Sequence, residues 1–307
     1  MRRIGLLLAV LSLALSLPAS GAKEEPDGFR IGAVLPNSSE VFWEGVWKGI
    51  EKGAEENNVR LSPYFYPVGS KGDMEKQLDK VLLSKLEGII LASNNLDEDC
   101  GELLAKARDD GVKVVFLDFP SADYLYDASV TLDNTASGKR MAEELLKRSF
   151  SQIVILTNGS STVSGATESR IAALAEALEE GGAVYTVDDC SPEISRSHVI
   201  QGIINSYPEG TCFVCPNSHL TLITAQAIDF LGAADSTFLA GWCEEPEAFR
   251  HVSAGVIDLL AAQDMYGMGK LSVDILAGLL SGKEVEKTQY IDVNMVDADN
   301  LEDLYEL

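Results

Sequence analysis

The sequence predicts an α/β protein of two similar lobes, each a mainly parallel sheet flanked by helices. Three observations predict it. Short apolar runs of strand length alternate with stretches of helical period from residue 29 onward. The same rhythm restarts near residue 135 with no low-complexity linker between the halves. A closing segment, 255–300, then strings together an apolar strand, a glutamine, a long amphipathic helix and a last strand.

The first half opens with a strand at 29–35 that ends at Pro36. A helix over 42–57 follows, with Trp43, Val46, Trp47, Ile50 and Ala54 on one stripe. An alternating strand occupies 59–66. Asp73 is expected to cap a helix that turns Leu78, Val81, Leu82 and Leu86 inward. The wholly apolar run 88–92 reads as a strand buried on both faces. A helix at 96–109 and strands at 112–118 and 129–132 complete this half, which parallel right-handed crossovers would assemble.

The second half repeats the pattern: helices at 135–148, 164–180, 191–206 and 220–231, and strands at 152–156, 183–187, 211–215 and 238–242. In the closing segment, 256–262 is a strand and Gln263 follows it. Asp264 caps a helix over 264–281, Gly282 suits its left-handed stop, and the last strand lies around 290–293. The expected lobes are 29–132 with 264–287, and 133–263 with 288–307. The hinge is expected at the crossings near Asp133, Gln263 and Lys287.

Composition narrows the function. The chain starts Met1-Arg2-Arg3, runs through an apolar stretch to Leu17 and reaches small residues at Ser20 and Ala22. That pattern reads as a secretory signal over 1–22, the alternative being an uncleaved anchor. No cysteine follows the apolar run, so a lipid-attachment box is missing. With 24 basic against 48 acidic residues the surface repels nucleic acid and anionic lipid. Five cysteines are an odd number for an exported chain. Cys212 and Cys215 resemble a zinc or redox pair in spacing, but strand alternation points them to opposite faces, so buried thiols are the expectation, with no metal and no cofactor. Neither a phosphate loop nor a nucleophile elbow is present, and His198, His219 and His251 are scattered.

In open α/β lobes a ligand sits beyond the carboxyl ends of the strands. The residues there are Glu40, Phe42 and Trp43 after the first strand, Ser93 and Asn94 after the third, and Asp118 and Phe119 after the fourth. The other half supplies Glu168, Arg170, Asn217, Trp242, Cys243 and, at the crossing, Gln263. Several have a purely structural alternative. Trp43 could be core like Trp47, Asp118 could cap a turn, Asn217 could be an N-cap, and Glu168 could face solvent or pair with Arg170.

Segments 41–49, 87–92, 111–118 and 132–134 with Gly138, in this order before the closing segment, resemble the type I periplasmic binding proteins, the ribose- and galactose-binding family. The resemblance implies a binding protein without chemistry. It would close two lobes on a small sugar-like ligand and present it to an ABC importer, or to the external domain of a sensor kinase. Sugar-responsive repressors share the architecture, but carry a DNA-binding N-terminus in place of this signal segment. Family sugar sites use aromatic plates and planar polar groups, and matching positions here keep Phe42, Trp43, Asp118, Asn217 and Gln263. Glu40, Phe119, Glu168 and Cys243 depart from it. Those departures remove guanidinium groups and add carboxylates, so the expected ligand is sugar-like or amino-sugar-like, with an amine facing Glu40, Glu168 and Asp118. A monomer in the periplasm or outside the cell, or tethered by an uncleaved signal, completes the expectation.

Overall fold

The structure, a computed structural model, describes residues 28–37, 41–67, 72–92, 96, 98–118, 125–158, 165–191 and 196–304. Apolar runs made the strands, and they assemble as two six-stranded sheets. The first takes β1 (Arg30–Asn37), β2 (Arg60–Pro67), β3 (Gly88–Ala92), β4 (Lys113–Leu117), β5 (Ala128–Leu132) and β11 (Thr288–Ile291), in the order β11-β5-β4-β3-β1-β2. The second takes β6 (Ile153–Thr157), β7 (Tyr185–Asp189), β8 (Thr211–Cys215), β9 (Thr237–Trp242), β10 (Leu259–Gln263) and β12 (Val293–Val296), in the order β12-β10-β9-β8-β6-β7. Among the described residues every pairing is parallel except that of β10 with β12. Central strands such as β3 and β8 are buried along their whole length, which is why they contain no polar alternation.

Helices cover both faces. They are α1 (Val41–Glu56), α2 (Asp73–Leu83), α3 (Glu98–Asp109), α4 (Asn134–Leu146), α5 (Gly165–Glu180), α6 (Arg196–Ser206), α7 (Ser218–Leu231), α8 (Pro246–Ser253), α9 (Met265–Leu280) and α10 (Leu301–Leu304). The eight-residue α8 buries Ala248, Phe249 and Val252 on one side, and α10 is a single turn. Helix α9 leaves β10 in the second sheet yet packs on β3, β4 and β5 of the first, beside α1. Two glycines let α1 and α9 touch. A Cβ on Gly49 would lie 2.0 Å from the Tyr266 carbonyl oxygen, and one on Gly269 would lie 2.0 Å from that of Val46.

The chain passes between the sheets three times, at Asp133, Asp264 and Asp292. Two of these residues are helix caps: Asp133 accepts from the Ala136 N–H at 2.9 Å and Asp264 from the Gly267 N–H at 2.7 Å. Gly282, at φ 77°, ends the last turn of α9 as expected. Two local expectations are corrected. Asp73 is the first residue of α2, not its cap; Gly72 stands at the cap, and Asp73 pairs with Lys76 at 2.8 Å instead. The single last strand is in fact two, with Thr288–Ile291 beside β5 in the first sheet and Val293–Val296 beside β10 in the second. The final crossing is therefore at Asp292, not Lys287.

All five cysteines are buried. Cys212 packs with Ile153, Ile155 and Ala240, and Cys215 with Val154, Leu156 and Leu239, the two faces of one sheet that alternation requires. Among the described residues no helix is long and apolar enough to cross a membrane.

Candidate functional site

Where parallel strands end, backbone groups leave the ladder and polar side chains can gather around a ligand. Asp118 follows β4 with φ 75°, a left-handed conformation that Asp tolerates better than most residues. Its N–H donates to the Val130 carbonyl at 3.0 Å, which ties the bend to β5. The side chain is half-buried; burial raises its carboxyl above the ordinary range, and Arg170 opposes the rise.

Arg170 arrives from the other half, on the second turn of α5. Its Nε donates to Asn134 Oδ1 at 2.6 Å and its Nη1 to the Pro216 carbonyl at 3.1 Å. The guanidinium lies over the Trp242 ring, 5.8 Å from the centroid, a stacking that offsets part of the cost of burial. Burial lowers its pKa, against the fields of Glu244 and then Asp118. It stands in the field of both carboxylates without ion-pair contact to either.

Gln263 ends β10 at the second crossing. Its backbone N–H and its Nε2 both donate to Glu244 Oε1, at 3.2 and 2.9 Å. Glu244 is only 8% exposed. Burial raises its pKa, while the Gln263 amide and Arg170 pull the other way. The structure thus brings Asp118, Arg170, Glu244 and Gln263 into one electrostatic neighbourhood that draws on both sheets.

The remaining candidates divide. Trp242 is 1% exposed, donates from Nε1 to Ser137 Oγ at 2.7 Å, and has its carbonyl bound by Thr221 Oγ1 at 3.1 Å. Cys243 is fully buried, accepts from the Glu245 N–H at 3.4 Å, and has its thiol pushed up to about 12 by burial. Neither offers surface to a cleft; Trp242 reaches it through the guanidinium resting on its ring. Asn217 caps α7 by accepting from the Leu220 N–H at 3.0 Å, which leaves its Nδ2 for another partner. Phe42 and Trp43 meet edge-on with centroids 5.0 Å apart at the start of α1. Trp43 is core, and half-buried Phe42 is the ring with surface to spare. Glu168 is exposed in the first turn of α5, and Arg170 turns away from it toward Asn134. Glu40, Ser93, Asn94 and Phe119 lie outside the described residues.

Sequence reading missed Glu244. It follows Cys243 directly after β9, so the rule that singled out the residues beyond each strand would have reached it one position further on. Among the described residues no group of His, Cys, Asp or Glu is arranged to hold a metal.

Comparison with known proteins agrees with this geometry. Over 309 aligned residues the chain is 25% identical to a D-allose-binding periplasmic protein of Escherichia coli (strain K12), spanning 94% of this chain and 95% of that one. An arabinose-binding protein from Geobacillus stearothermophilus superimposes with a TM-score of 0.80 at 19% identity, over 91% of this chain and all of the other. A XylFII–LytSN complex gives 0.73 at 18% identity, over 90% of this chain and all of the other. Residues 31–284 match the family described as periplasmic binding protein domain. With two mainly parallel sheets, three crossings and a polar cluster at the strand ends, the chain has the type I fold and belongs to the periplasmic binding protein family.

Proposed function

We propose that the protein is an extracytoplasmic, non-enzymatic receptor that closes its two lobes on a small sugar or amino-sugar-like ligand and presents it to an ABC importer. The observation that carries this reading is the pairing of half-buried Gln263 with buried Glu244, beside an Arg170 that makes no ion pair among the described residues. Buried polar groups are normally satisfied, and spare donors and acceptors between two lobes are what a polyhydroxylated ligand uses. Asp118, Asn217 Nδ2 and the ring of Phe42 complete the set of expected contacts among the described residues. Residues 29–132 with 264–291 would move as one lobe and 133–263 with 292–304 as the other.

A thermal-shift panel of pentoses, hexoses and their amino derivatives tests the reading, with mass spectrometry of the recovered ligand. At least one sugar should raise the melting temperature and be recovered unchanged. No shift with any carbohydrate would remove the proposal, and chemical conversion would make the protein an enzyme. Gln263→Ala should weaken the same sugar by about 1–3 kcal/mol, about five- to 150-fold, measured by isothermal titration calorimetry.

A second reading has the closed form recognised by the external domain of a sensor kinase. Its support is the XylFII–LytSN neighbour, a protein of this fold held in a complex. Pull-down of a permease or of a kinase ectodomain by the sugar-loaded protein distinguishes the two.

A further inference from the structure

Glu244 and Gln263 meet because β9 and β10 run side by side. Their register pairs Trp242 with Ala261, so two residues further along both strands Glu244 stands across from Gln263. Two donors of Gln263, the backbone N–H and the side-chain Nε2, converge on one oxygen, Glu244 Oε1, at 3.2 and 2.9 Å. A backbone N–H can only donate, so that oxygen is held as an acceptor. Of the two ends of the Gln263 amide, only the nitrogen can face it.

The consequence lies at the other end of the amide. Gln263 is half-buried, and among the described residues no protein donor reaches its carbonyl oxygen. That oxygen is not shut away from solvent either. Glu244, by contrast, is 8% exposed, so its grip on the nitrogen is made inside the protein. The pair therefore fixes a carbonyl oxygen at the end of β10, where the chain crosses between the sheets. Any group that meets this oxygen must donate to it. A sugar hydroxyl can, and a fluorine in the same place cannot.

We propose that Glu244 is a positioning residue: by holding the nitrogen of the Gln263 amide it presents the carbonyl oxygen to the ligand, and so demands a donating hydroxyl at one ring position. This rests on the sugar-receptor reading and adds a rule of specificity to it. Glu244 acts here through Gln263 and not through its charge.

Titration calorimetry on the whole protein would use the tightest binder of the pentose and hexose panel and its singly deoxyfluorinated derivatives. The variants are Glu244→Ala, Glu244→Gln, Gln263→Ala and the double change Glu244→Ala with Gln263→Ala. Glu244→Ala should weaken the parent sugar by about three- to tenfold, and Glu244→Gln, which keeps an oxygen for both Gln263 donors, by about twofold or less. Once Gln263 is alanine, adding Glu244→Ala should change affinity by less than about twofold, because its route to the ligand is gone. One fluorinated derivative should bind at least about tenfold more weakly than the parent in the native protein and in Glu244→Gln. In Glu244→Ala, where the freed amide can turn, that penalty should shrink to about threefold or less. Urea unfolding checks that each variant is folded, and Glu244→Gln carries the test should Glu244→Ala not fold. Single losses that multiply in the double variant, a Glu244→Gln protein as weak as Glu244→Ala or weakened about tenfold, or no fluorine penalty in the native protein overturns the inference and leaves the sugar receptor standing. Silence from every sugar takes both away.

Discussion

Asp258 sits where β9 and β10 run side by side, its carboxylate accepting the Leu239 N–H at 2.8 Å. Burial pushes its pKa from the usual 3.8 up to about 6, against that hydrogen bond and the field of Arg148. Between those two values the native chain binds more protons than the unfolded chain, so this residue's contribution to stability falls as pH rises through the window. Above it the ionised form is carried at a cost, about 1 kcal/mol once solvent screening at a partly open site is allowed for. Asp258→Asn keeps the acceptor and removes the charge. It should therefore be more stable than the parent at pH 7 by about that amount and indistinguishable near pH 4, in urea unfolding at the two pH values. An equal gain at both pH values would contradict this origin. At this scale the sequence singled out Gln263, a lone amide ending an apolar strand, and the structure pairs its side chain with Glu244. The sequence was uninformative about Trp242: an aromatic residue beyond a strand looks the same whether it faces a cleft or, as here, donates its N–H to Ser137 inside the core.

Helices α1 and α9 come from the two extremes of the chain and meet where Gly49 and Gly269 allow backbone to approach backbone. The obstructing atoms are carbonyl oxygens of Tyr266 and Val46, which cannot swing aside as a side chain would. Gly269→Ala should therefore push the helices apart and cost about 1–3 kcal/mol in denaturant unfolding, although alanine has the better helix propensity. Adding Gly49→Ala should cost less than a second independent penalty, since one separation relieves both collisions. A Gly269→Ala protein as stable as the parent would show that this contact is looser than described. Most elements were legible because period 2, period 3.6 and unbroken apolar runs are local properties. The last strand was not: Thr288–Ile291 and Val293–Val296 are separated only by Asp292, with no turn residue to mark that the chain changes sheets there. That change is set by which edge each strand finds, information that lies in β5 and β10 and not in the segment itself.

Across the molecule, a shared apolar core cluster includes residues of both sheets, and a cavity of about 40 Å³ lies at the crossings among Asp133, Ser137, Arg140, Ile291 and Asp292. If the lobes close as proposed, the three connections would confine the motion to bending about this region, the pattern of hinge closure around a ligand. Small-angle scattering with and without a bound sugar should show a smaller radius of gyration in the loaded form; identical curves at saturation would mean that binding does not close the lobes. The same threading has a consequence for how the chain comes to exist. The first sheet lacks its edge strand β11, and α1 lacks the neighbour it packs against, until residues as late as 265–291 have been made. A nascent chain emerging from its amino end consequently cannot finish either half early, and the long-range pairing that completes both is slow to find. Through most of its synthesis the polypeptide stays an unfinished thread, the form in which a protein bound for the outside can still be drawn through a narrow channel.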